Sequence, residues 1–171
     1  MTVSEEPAGH ADVHHGGGGD YAAAIYGSIV VTALIGALRE AHAGIGDVTT
    51  TVIATMTVFW LAHTWAQVQG ERLHAGHHLS FSHVRRIAGH EWPMLESGFA
   101  PVCALLLGWV GILDTTNATR LALTIGIVQL LAWGFALGRR VYGTWHGAAL
   151  AGLVDGAFGV GLVLLEIAVS H

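Results

Sequence analysis

Charge is what this chain has least of. Of its 171 residues only 11% are Asp, Glu, Lys or Arg, whereas ordinary soluble domains carry about 25%. A chain this small has a large surface for its volume and cannot stay dissolved with so little charge, which excludes a water-soluble globular enzyme. Disorder of the whole chain is excluded too, because it needs low hydrophobicity and high net charge; here 53% of residues are hydrophobic and the mean hydropathy is +0.56. Lysine is missing altogether. The seven basic residues are all arginines, scattered through a chain of formal net charge -5, so no basic groove for nucleic acid can be assembled. The single cysteine, Cys103, lies inside an apolar run; it excludes an internal disulfide and reads as a small buried hydrophobe. No nucleophile elbow, P-loop, paired-histidine zinc motif or glycine-rich dinucleotide motif occurs, which leaves little support for catalysis.

What is present is apolar and helical in pattern. Residues 1–20 form a polar lead with Glu5, Glu6, His10, Asp12, His14, His15 and Gly16 to Gly19. No basic stretch precedes an apolar one there, so it reads as a disordered His/Gly-rich tail rather than a signal peptide. Five apolar segments follow, from about Tyr21 to Leu38, Val48 to Gly70, Pro93 to Leu113, Thr119 to Gly138 and Gly147 to Val169. A bilayer core of about 30 Å needs roughly 20 helical residues. The segments do not alternate polar and apolar residues, so a closed β-barrel is ruled out in favour of helices. The expected fold is therefore all-α: residues 21–171 as a polytopic membrane domain, a bundle of five transmembrane helices. Between helices 2 and 3, residues 71–92 interleave Leu79, Phe81, Val84 and Ile87 with polar residues, as in a short helix lying on the interface with Ser82 as its cap. Pro93 suits the first turn of the third span.

Arginine placement orients the bundle. Arg72, Arg85, Arg86, Arg139 and Arg140 follow the second and fourth spans, against Arg39 and Arg120 on the other side. The positive-inside rule then gives a multi-pass protein of the cell inner (plasma) membrane, with the N-terminus cytoplasmic and the C-terminus outside. Trp92, Trp145, Tyr21 and Tyr142 stand near span ends, where aromatic belts belong.

Ionisable groups within spans are expensive and mark candidate sites. On the second span His63, Gln67, Glu71, His74 and His78 recur every three or four residues and share one helix face. Such a stripe lines a wet cavity or a proton path; the alternative is that His63 only hydrogen-bonds a neighbouring helix while Glu71 onward sits in water. The fifth span carries Asp155 and Glu166. Asp155 is the deeper, beside a small-residue face of Ala148, Gly152 and Gly156 fit for close helix approach, whereas Glu166 lies near the outer end. Register places His63 and Asp155 at similar depth, about 5 Å to the same side of the midplane at 1.5 Å per residue, so a His–Asp pair is expected. Ser28, Thr32 and Gly36 form a packing stripe, Gln129 is placed to join two helices, and Glu96 suits the start of the third span.

Twelve histidines are unusual. His74, His77 and His78 converge on a helix and can hold a divalent metal such as Zn²⁺, Ni²⁺ or Cu²⁺. Adventitious metal capture at the surface and a pH-sensing patch are the alternatives, and no cofactor is assigned beyond that divalent metal.

Tyr26-Gly27 in the first span, Trp60-Leu61-Ala62-His63 in the second, Glu91-Trp92-Pro93 at the third and Trp133-Gly134 before Arg139-Arg140 resemble a family of small, uncharacterised integral membrane proteins of high-GC actinobacteria. The resemblance covers most of the membrane region and implies a membrane location and five spans, with no activity. Phe59-Trp60 with His63 is also faintly similar to small bacterial potassium channels of the lysosomal type, whose Phe-Ser-Asp signature in the first span is absent here. The expected function is an oligomeric channel or transporter for a small ion, a proton or metal cation, with His63 and Asp155 as the embedded groups. Its partners are the lipid bilayer and further copies of the chain. The alternative is an accessory or scaffold membrane protein whose polar groups only hold helices together; a membrane enzyme ranks third.

Overall fold

The computed structural model of the chain describes residues 18–75 and 80–169. Among these the structure is helical throughout, with six helices: α1 Gly18–Glu40, α2 Ile45–Ala75, α3 Phe81–His90, α4 Trp92–Trp109, α5 Thr115–Tyr142 and α6 Trp145–Val169. Helix α1 begins inside the expected tail, of which residues 1–17 lie outside the described residues. Of the five expected spans, three helical stretches are long and apolar enough to cross a membrane: Tyr21–Glu40, Ile45–Leu73 and Thr115–Tyr142. The third expected span is cut short. Helix α4 ends at Trp109 rather than Leu113, because Gly111 takes a left-handed φ of 81° that turns the chain.

The helix ends follow local chemistry. The Asp114 carboxylate accepts the Asn117 backbone N–H at 3.1 Å and its side-chain amide at 2.6 Å, capping α5. Gly143, at φ 65°, closes α5 with its N–H on the Arg139 carbonyl, and Arg139 and Arg140 occupy the negative end of the helix. Helix α3 does form, but Ser80 is its cap residue rather than Ser82, and no side chain completes the cap. Ser80 and Ser82 bond to each other at 2.9 Å instead. Pro93 sits in the first turn of α4 as expected.

The core joins Val31 and Ile35 of α1, Val48, Val52 and Met56 of α2, Met94 and Leu105 of α4, and Ala122 and Leu123 of α5. Small residues bring the backbones together. Thr32 and Ser28 are buried, Thr32 returning its hydroxyl to the Ser28 carbonyl at 2.7 Å, and Gly126 of α5 packs on Thr32. The α5–α6 hairpin is the most extensive contact; Gly152 lies where an added Cβ would meet the Leu131 carbonyl oxygen at 2.9 Å. Helix α2 is peripheral, touching α4, α1 and α3. Cys103 is exposed on the outer face of α4, not buried.

Candidate functional site

The site grows from the way α3 folds back along α2. The indole N–H of Trp60 donates to the Ala88 carbonyl at 3.2 Å, and Trp60 meets Trp92 edge-to-face with ring centroids 6.2 Å apart. These contacts hold the returning segment antiparallel to the second half of α2. His63 and Glu71 are eight residues apart on α2, and His83 and Glu91 are eight apart on the returning segment. Antiparallel packing therefore sets His63 opposite Glu91 and Glu71 opposite His83, two acid–imidazole pairs with the roles exchanged.

The inner pair is His63 Nε2 and Glu91 Oε2, 3.6 Å apart. Glu91 sits at the α3–α4 elbow as the N-cap residue of α4, at the positive end of that helix, which favours a carboxylate. Its side chain is only 12% exposed, against 46% for His63. Tyr26 of α1 stacks on the His63 ring, centroids 6.2 Å apart and planes 28° apart, and Phe59 adjoins Tyr26. At 3.6 Å the two groups are within ion-pair range but too far apart for a direct hydrogen bond.

The outer pair is tighter. His83 Nε2 bonds to Glu71 Oε2, and Arg86 Nη2 lies 2.7 Å from His83 Nδ1. A guanidinium only donates, so Nδ1 accepts, and Nε2 carries the hydrogen given to the Glu71 carboxylate. The ring is strung between a cation and an anion. Gln67, exposed on α2, stands between the two pairs.

The expected His63–Asp155 pair does not form. Helix α6 packs on α5 and α1 rather than α2, and Asp155 is set against Gly134 of α5, whose added Cβ would meet the Asp155 Cβ at 2.9 Å. Register along two helices fixes depth and leaves azimuth open, and α6 stands on the α1–α5 side of the bundle. Gln129 joins no helices either: its Oε1 is buried without a hydrogen-bond partner among the described residues. Glu96 is exposed on α4. The metal candidates His77 and His78 lie outside the described residues, as do the side chains of His74 and Glu166. Among the described residues no three His, Cys, Asp or Glu side chains converge to hold a metal ion.

Tyr26 and Glu91 were not expected at the site. The equal eight-residue spacing of the two His/Glu sets was the signal in the sequence that identifies His83 and Glu91, once a returning helix is placed between. No family model matches the chain, and neither a curated protein nor a solved structure matches it.

Proposed function

We propose that the chain is a polytopic membrane protein that carries a proton or another small cation along the α2–α3 seam. His63 and Glu91 form the embedded step, and Glu71, His83 and Arg86 its mouth. The observation that carries this reading is the exchanged double pairing, in which each imidazole has a carboxylate within 3.6 Å.

Depth supports it. Arg140 lies over the Tyr21 ring at 5.0 Å, so an arginine at the end of α5 and an aromatic at the start of α1 mark one boundary of the apolar layer. Tyr26 is five residues further along α1, about 7.5 Å inward, and it carries the stacked His63. The 18 residues of α4 reach only about 27 Å against a layer of about 30 Å. A short α4 draws its polar elbow, Glu91, inward to the level of His63. Five spans result if α4 and α6 cross together with the three longer helices, leaving Arg72, Arg85, Arg86, Arg139 and Arg140 on the cytoplasmic side. The stripe of His63 and Gln67 faces outward from a single chain. Polar groups are expensive against lipid, so the reading includes a second copy covering α2.

Flux into sealed proteoliposomes under a pH gradient, followed with an entrapped pH dye, tests the reading. Wild type is expected to conduct, and His63→Ala and Glu91→Gln to lose about ten-fold or more, the scale of a removed acid–base step. Flux equal to that of empty vesicles in a folded wild-type preparation overturns it. The Trp60–Ala88 and Tyr26–His63 contacts favour the scaffold reading, under which the same variants lower the melting midpoint and wild type conducts nothing.

A further inference from the structure

Asp155 opens into a groove of its own. A cavity of about 300 Å³ lies between α5 and α6, walled by Leu137, Val141, Leu150 and Val154, with Tyr142 and the Asp155 side chain also lining it. This volume falls at the lower end of ligand pockets, about 300–1,000 Å³. The nearest arginines in sequence are committed elsewhere: Arg139 lies over Trp145 at 4.5 Å and Arg140 over Tyr21 at 5.0 Å. Among the described residues no cation or hydrogen-bond donor is paired with the Asp155 carboxylate.

The chemistry of the walls selects the occupant. An unpaired carboxylate against apolar surface repels anions and is costly until a positive charge meets it. A bare divalent metal needs several oxygen ligands, and one carboxylate faces this groove. An apolar body bearing one positive charge satisfies both the walls and the acid, and the Tyr142 ring adds a cation–π surface. We infer that the α5–α6 groove is a binding site for lipophilic organic monocations, with Asp155 as the counter-ion. This inference is independent of the α2–α3 seam.

Two probes of one shape and opposite charge provide the test: tetraphenylphosphonium and tetraphenylborate, titrated by equilibrium dialysis against the full chain in a neutral maltoside detergent. Saturable binding of the phosphonium and none of the borate is expected. Asp155→Asn is expected to weaken the phosphonium by about ten-fold or more, the worth of one desolvated ion pair at about 1.4 kcal/mol. Equal binding of both probes by wild type overturns the inference even if the variant fails to fold. Unchanged phosphonium affinity in a folded Asp155→Asn protein overturns it as well. Displacement of the probe by phosphatidylethanolamine micelles also overturns it, in favour of a lipid headgroup.

Discussion

At Gly27 the backbones of α1 and α4 approach so closely that an added Cβ would meet the Met94 carbonyl oxygen at 2.5 Å. Backbone cannot step aside as a flexible side chain can, so Gly27→Ala is expected to destabilise the fold by about 1–3 kcal/mol, the range for overpacking. Gly70 of α2 has nothing within 4 Å of the corresponding position. There Gly70→Ala removes only the entropic handicap of glycine and is expected to be neutral or to stabilise by up to about 1 kcal/mol. Thermal melting of both variants in detergent checks the contrast, and equal shifts would refute the packing argument. Gln129 is the converse case. Among the described residues its Oε1 is buried without a partner, so the folded state already bears the desolvation cost. Gln129→Met keeps the volume and removes the orphan, and its melting midpoint is expected to stay the same or rise. A marked fall would mean that the amide is engaged. At this scale the sequence was informative where one helix suffices: the Ser28–Thr32 stripe and the Ala148–Gly152–Gly156 face are buried as helical periodicity requires. It was uninformative for His63 and Asp155, because their pairing depends on where α2 and α6 stand around the bundle.

Helix ends carry the pH dependence that the fold makes explicit. The backbone N–H of Asn117 leads in holding the Asp114 carboxyl below its ordinary pKa, since hydrogen bonds to the ionised form favour it. A depressed carboxyl contributes stability that is fully present above its unfolded pKa of about 3.9 and is lost as pH falls through the lower folded value. Wild type should therefore melt above Asp114→Ala by a constant margin near neutrality, and the margin should close on acidification below that unfolded value. A margin that widened in acid would contradict the cap. Helix α3 shows why elements are easier to read than their ends. The interleaving of Val84 and Ile87 with arginines foretold an amphipathic helix, and Ile87 is indeed its buried residue. The cap moved from Ser82 to Ser80 because either serine can precede the run, and only the backbone decides which one has extended φ and ψ. The elbow at Glu91 was legible as a distinctive segment, yet its partner became visible only once α3 lay back along α2.

Across the whole molecule the two ends differ in charge. The Arg39 end of α1 and the Thr115–Thr116 start of α5 line one pocket, while Arg140 meets Tyr21 at the other end. The arginine-rich turns gather at the Tyr21 end because α1, α2, α4, α5 and α6 run alternately up and down. Among the described residues, length and composition alone admit three helices to a membrane, and α4, with 18 residues, falls short because Pro93, Glu96 and Pro101 dilute its apolar run. A helix of this kind crosses only with help from neighbours on both sides, and α4 has them in α1, α2 and α5. Crossing by α4 and α6 is therefore the step that separates five spans from three, and side-specific thiol labelling decides it. In a Cys103→Ala background, a cysteine at exposed Ser82 and one at exposed Thr116 flank α4; Thr144→Cys and a cysteine appended after His171 flank α6. An impermeant maleimide applied to intact cells is expected to reach Thr116→Cys and the appended cysteine, and to reach Ser82→Cys and Thr144→Cys only after permeabilisation. If Ser82→Cys and Thr116→Cys react from the same side, α4 does not cross, and the His63–Glu91 pair lies at the surface of the bilayer rather than within it.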